Sequence, residues 1–308
     1  MKVRLTVWFV LFLSGVTASL LAADRATPVR VANLYVSPDN SSPKLAEVDR
    51  GRELVVLETS REWVHVQALL GEEKMVTGWM LDKGVVRASM PEGDKIVFGE
   101  AVDSEDQASR RHGRRGADQD ALRLYYRVYD FFPTSPLAGE ALYRAADIRW
   151  QVDRADVMSR PSSRDQDPGL RERINEDLMK LVIKKFPGTK WADLAAFHLI
   201  DNKLCGDWQG ASKCPDKEAD LYEKYASEHP QSPDAPEALY QAASRRAALI
   251  EIYKTEEKAK KADESREQAL SLAQKVIQQY SQSDWSNRAQ LLLFLVQQGV
   301  PTYGNVVQ

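Results

Sequence analysis

Cysteine is nearly absent from this 308-residue chain, with two copies, and histidine has four. Two cysteines with eight residues between them, and no histidine or second cysteine pair beside them, argue against a tetrahedral zinc site. Neither a nucleophile elbow nor a phosphate-cradling glycine loop occurs, and no Cys/His pair or His-x-x-x-His spacing is present. These absences argue against an enzyme and imply no metal or cofactor. Net charge is also lacking: 42 basic against 45 acidic residues give −3 and a pI near 5.9, so there is no basic field to recruit nucleic acid.

Long apolar runs are missing after the first residues. Lys2 and Arg4 precede the run from Leu5 to Leu13, followed by small and apolar residues to Ala23. A basic start, a short apolar stretch and small residues at candidate cut sites after Ala18 or Ala23 describe an export signal over residues 1–23. The rival is an uncleaved anchor, the one route by which this chain would contact a membrane. No cysteine sits near the end of the run, so the lipid-modified cysteine of a lipoprotein signal is missing. Export places Cys205 and Cys214 in an oxidising compartment, where a disulfide across the turn-rich segment between them competes with two free thiols.

From residue 28 to 88 the periodicity is two. Leu54-Val55-Val56-Leu57, Trp63-Val64-His65-Val66 and Met75-Val76-Thr77-Gly78-Trp79-Met80 are β-branched or aromatic runs divided by turn residues, the pattern of short antiparallel strands. About sixty residues in five to seven such strands predict a small barrel that closes its edges. Tyr35, Trp63 and Trp79 are candidate ligand-binding aromatics; their other reading is packing in a barrel too small to bury itself otherwise. His65 reads as a strand residue facing water.

Residues 89–117 lose this pattern. Pro91, Gly93, Gly99 and four acidic residues lead into Arg110-Arg111-His112-Gly113-Arg114-Arg115, read as a solvated linker or as a basic grip on an anionic surface.

Residues 118–298 repeat. Aligned on Ser135, Thr189, Ser232 and Ser283, four segments share Leu at position −11 (Leu124, Leu178, Leu221, Leu272) and Ala at +6 (Ala141, Ala195, Ala238, Ala289). Position −7 holds Val128, Val182, Tyr225 and Val276, and position −3 holds Phe132, Phe186, His229 and Tyr280. The twelve residues from Ser135 and from Ser232 agree at nine positions. Apolar residues at −11, −7 and −3 make one helical stripe. Proline at −2 (Pro133, Pro187, Pro230; Ser281 in the fourth copy) ends that helix, a Ser or Thr caps the next, and the alanine at +6 lets the two approach closely. No such hairpin buries its stripe alone, so the four must stack. Their spacing of 54, 43 and 51 residues exceeds the usual repeat of about 34. Extra material is therefore expected at Ser159 to Gly169, around the cysteines, and at the charged run Thr255 to Arg266, read as a helix extension projecting into solvent. Residues 299–308 read as a loose tail.

Two resemblances follow. Leu34-Tyr35-Val36-Ser37-Pro38, Val48-Asp49-Arg50-Gly51, Trp63-Val64-His65-Val66 and Gly78-Trp79-Met80 resemble the bacterial SH3-like domain of exported proteins, with Ser37-Pro38-Asp39 replacing that family's Arg and Gly-Pro. The repeats resemble the tetratricopeptide class, in the F-P-x-S-x-x-A-x-x-A form found in outer-membrane assembly lipoproteins and a periplasmic Tol-Pal factor. Together they imply a β + α multidomain chain: a small SH3-like β-barrel followed by an all-α, tetratricopeptide-like helical-hairpin solenoid. They further imply a non-catalytic periplasmic scaffold or adaptor in the cell envelope that binds proteins or peptide segments through its repeats. The alternative is a peptidoglycan-binding protein whose barrel makes the contact while the repeats space or oligomerise it.

Overall fold

The computed structural model describes residues 24–71 and 74–304. The export signal or anchor expected over residues 1–23 lies outside these, as do residues 305–308. Seven antiparallel strands come first: β1 (Asp24–Pro28), β2 (Ala32–Tyr35), β3 (Lys44–Val48), β4 (Leu54–Ser60), β5 (Trp63–Leu69), β6 (Met75–Leu81) and β7 (Val85–Arg87). They form one sheet in the order β3-β2-β6-β5-β4-β1-β7. Alternation places Leu34, Leu54, Val64, Val66, Ala68 and Met80 on one face, where they form a core. The expected closure is not seen: β3 and β7 stand at opposite edges, and no ladder joins them among the described residues.

The β7 side of the sheet is covered by helices instead, and this corrects the linker reading of residues 89–117. That segment carries α1 (Gly93–Ser109). Val97, Ala101 and Ser104, spaced i, i+4, i+7, are its buried stripe. Two of them join Val29 and Val86 of the sheet module and Leu124, Tyr125 and Val128 of α2 (Ala117–Phe131) in a single cluster. A stripe of one valine, one alanine and one serine is too faint to outweigh two glycines in the sequence; contact with the sheet decides it. Within the basic run, Arg110 pairs with Asp106, and Arg114 lies 2.6 Å from the buried Asp120.

The junction is held by the turn Asp49-Arg50-Gly51. Arg50, 7% exposed, donates to the Val29 carbonyl (2.8 Å), Ser104 Oγ (2.9 Å) and Glu100 Oε2 (2.8 Å). From α2, Arg123 and Arg127 donate back to the carbonyls of Arg50 and Gly51 at 2.9 and 3.2 Å. Gly51 has φ of 74°, and a Cβ there would come within 2.6 Å of Arg123 Cβ. Only glycine allows α2 this close to the turn.

Eight further helices follow α1 among the described residues, as four hairpins: α2 with α3 (Ala138–Ser159), α4 (Asp177–Lys185) with α5 (Lys190–His198), α6 (Lys213–Glu228) with α7 (Ala235–Thr255), and α8 (Ala259–Gln279) with α9 (Asp284–Gln297). Their turns are copies of one another. The −3 residues Phe132, Phe186, His229 and Tyr280 have φ of −126°, −128°, −128° and −129° and ψ of 59°, 51°, 56° and 45°. Each donates its N–H to the carbonyl of the −7 residue at 2.9–3.0 Å. Each cap hydroxyl then accepts from the backbone two or three residues on: Ser135 from Leu137 (3.1 Å), Thr189 from Ala192 (3.4 Å), Ser232 from Asp234 (3.2 Å) and Ser283 from Trp285 (3.1 Å). Ser135 and Ser232 thus cap a tight turn that precedes the first helical residue. All four +6 alanines are fully buried.

Two corrections concern the charged run and the tail. Thr255 to Arg266 does not project into solvent: α7 ends at Thr255, Glu257 turns with φ of 57°, and α8 begins at Ala259. Ala262 packs on Leu249 and Tyr253, so the run is the third-to-fourth hairpin turn and the start of α8. The tail, as far as Gly304, docks: the Tyr303 hydroxyl accepts from Gly210 N–H (3.2 Å), and its ring lies 5.5 Å from that of Trp208.

The material that lengthens the repeat spacing gathers beside that tail. Cys205 and Cys214 are bonded, with Cα atoms 6.1 Å apart. Gly206 donates to the Asp165 carbonyl (2.9 Å), so the Ser159–Gly169 insert touches the cysteine insert. Glu218, 2% exposed, anchors the loop by accepting from Cys205 N–H (2.9 Å), Trp208 Nε1 (3.2 Å) and Arg245 Nε (2.8 Å). A buried carboxylate with three donors, one of them cationic, is fully compensated.

Candidate functional site

The three candidate aromatics fall on one face of the sheet. Val64, Val66 and Met80 point into the core, so alternation turns Trp63, His65, Gln67 and Leu69 of β5 and Met75, Thr77, Trp79 and Leu81 of β6 to the other face. Register aligns them as cross-strand pairs: Trp63 with Leu81, His65 with Trp79, Gln67 with Thr77 and Leu69 with Met75. Tyr35 of β2 is the partner of Trp79. Tyr35 meets Trp63 edge-on at 5.8 Å, and His65 stacks on Trp79 at 4.8 Å with an interplanar angle of 12°. Trp63 is only 6% exposed and supports the others. Tyr35 and Trp79 keep accessible surface. His65, expected to be a plain solvent-facing residue, is part of the aromatic group.

The same face runs toward α2, where Val55, Gln67, Leu69 and Met75 floor a cleft of about 390 Å³ closed by Arg52, Arg123 and Arg127. Its charges are largely committed: Arg127 donates to Glu53 (3.1 Å) and Asp130 (2.6 Å), and Arg25 reaches the same two carboxylates at 2.5 Å. These bonds tie the sheet to α2 and leave the apolar floor as the accessible part.

A larger groove, about 540 Å³, lies between the first helices of the third and fourth hairpins. Leu239 and Leu272 form its floor, with Glu223, Ser227 and Pro230 on one wall and Lys275, Gln279 and Tyr280 on the other. Tyr280 donates to the Pro230 carbonyl at 2.9 Å, closing one end. Glu223 is held by Arg246 (3.0 Å), while Lys224 and Lys275 occupy the same repeat position, −8, on the two walls. Leu272, Tyr280 and Pro230 of its lining are repeat positions that read as packing residues, while Glu223, Ser227 and Gln279 fall where the copies differ; the paired lysines at −8 are the one signal of it in the sequence.

The two repeat histidines have structural partners. His198 lies 3.3 Å from both Asp147 and the Tyr143 hydroxyl, and His229 lies 2.8 Å from Asp193. Near them burial raises the carboxyl of Asp234 above its ordinary range, and burial together with Asp234 raises that of Glu237. No group of three or more metal-ligating side chains stands together among the described residues.

No protein-family model and no curated protein matches this sequence. The functional reading therefore rests on geometry and on the resemblances carried by the motifs.

Proposed function

We propose that this protein is a non-catalytic scaffold of the bacterial cell envelope, acting in the periplasm and gripping an extended or helical protein segment in the groove between α6 and α8. The observation that carries the reading is the groove: an apolar floor with paired lysines above it, between hairpins whose turns repeat residue by residue. Stacked hairpins whose motif resembles tetratricopeptide repeats offer such grooves to amphipathic segments. A photo-crosslinking residue at Ser227 or Lys275, introduced into living cells, should capture an envelope protein, and Lys224→Glu with Lys275→Glu should abolish the adduct formed from Ser227. Absence of any adduct from both positions would sink the reading.

A second reading is favoured by the convergence of Tyr35, His65 and Trp79 on one sheet face: an SH3-like module that binds peptidoglycan, with the repeats as a spacer. Its test must use the whole chain. Residues 24–90 alone would expose Val29 and Val86 and strip Arg50 of Ser104 and Glu100. Retention of the full chain on purified sacculi, lost in Trp79→Ala, would support wall binding; equal retention of both would remove the aromatic face from it.

A further inference from the structure

In the first three hairpins, the residues at +8 and +11 from the cap are where the next hairpin sits. Tyr143 and Ala146 meet Trp191, Met179 and Val182. Phe197 and Ile200 pack with Tyr222 and Tyr225. Tyr240 lies on Trp285, and Ala243 packs with Leu272 and Val276. In the fourth hairpin the same positions are Leu291 and Phe294 of α9. They are larger than alanine, apolar, and 60% and 56% exposed. A stack that simply ended would carry polar residues there, as terminal repeats do.

The surroundings indicate what covers them. From Gln268 to Gly304 the only charged residues are Lys275, Asp284 and Arg288, and the same stretch holds eight glutamines, in a chain that is 28% charged. Gln290 on α9 and Gln298 just past its end flank the apolar pair. A carboxamide is both donor and acceptor, so a glutamine rim complements itself, and an uncharged face meets its own copy without repulsion. Apolar centre, polar uncharged rim and depleted charge are the composition of an interface core.

We propose that this face pairs with the same face of a second copy, α9 against α9 in antiparallel array about a two-fold axis. In that arrangement Leu291 of each copy falls opposite Phe294 of the other. Arg288 falls opposite Gln297 of the second copy, beside a helix end whose Gln297 carbonyl already accepts from Arg266 of α8 at 3.1 Å. The inference is independent of what the α6–α8 groove binds.

The test is the mass of the full chain, expressed with its own N-terminal segment and recovered as the cell processes it, by sedimentation from about 1 to 100 μM. The mass should rise toward twice the monomer value, and Leu291→Lys with Phe294→Lys should hold it at one. A native chain that stays monomeric overturns the proposal, and so does a double variant that dimerises as the native chain does. If the variant melts early, a photo-crosslinking residue at position 291 of the native sequence decides: an adduct mapping to α9 of a second copy supports the pairing, and one mapping elsewhere, or none, rejects it.

Discussion

Tyr143 of α3 stacks on Trp191 of α5 at 5.5 Å, and Tyr240 of α7 meets Trp285 of α9 at 5.1 Å in the same relation. In both cases the +8 residue of one hairpin lies on the +2 residue of the next. The repeat is therefore visible in contacts between hairpins as well as within them. Trp191→Ala should destabilise the protein by about 2–4 kcal/mol, since the half-buried indole loses area and an aromatic pair. Trp285→Ala, at the end of the stack, should mainly open α9. Hydrogen exchange separates the two: protection should fall across α3 to α5 in the first variant and only in α8 and α9 in the second.

Gly51→Ala should cost about 2–4 kcal/mol, because the added Cβ meets Arg123 while the backbone holds a left-handed conformation. Denaturant unfolding measures this, and Gly84→Ala is the control, since it shares the positive φ but has open space around it. An equal loss in both would show that φ alone sets the cost.

Removing the Cys205–Cys214 bond by paired serine substitutions should lower stability by about 2–3 kcal/mol, the amount expected for closing so short a loop. The insert should keep its place through Glu218 and Tyr303. Glu218→Gln, which leaves Arg245 without its carboxylate, should cost a similar amount even with the disulfide intact. Thermal melts of the native protein and both variants, with and without reductant, check the pair.

At Glu176, burial alone would raise the carboxyl, but hydrogen bonds from Lys180, Asn202 and Arg173 outweigh it and hold it at about 2. The folded group titrates below the unfolded one. Its contribution to stability is thus complete above the ordinary carboxylate range and is lost as pH falls toward the folded value. Glu176→Gln should be less stable than the native chain near pH ~6, and the gap should narrow toward pH ~2.5 in acid unfolding series.

The four hairpins were legible because their signal is redundant: the −7 and +6 positions are buried in every copy, and the turn reuses one backbone conformation. The strands were legible by alternation, but their closure was not, since periodicity fixes faces and leaves edges free. Helix α1 escaped because its stripe is Val97, Ala101 and Ser104, whose burial depends on Val29 and Val86 far earlier in the chain. The charged run departs from its expectation for the opposite reason: its helix formers do form helix, in α8, but a single left-handed residue, Glu257, turns the chain back. Tyr35, Trp63 and Trp79 could be named from the sequence, but their meeting on one face depends on strand order. Lys224 and Lys275 needed the register of two separate hairpins to become opposite walls.

The shared cluster of Val29 and Val86 with α1 and α2 also sets an order of events. With the N-terminus emerging first, the last strand is complete at Arg87, yet its apolar edge stays uncovered until Val128 has followed it. During that interval the nascent sheet presents an open edge and two bare valines, the kind of surface that holdase chaperones recognise. That edge is therefore exposed before the first repeat exists to shield it.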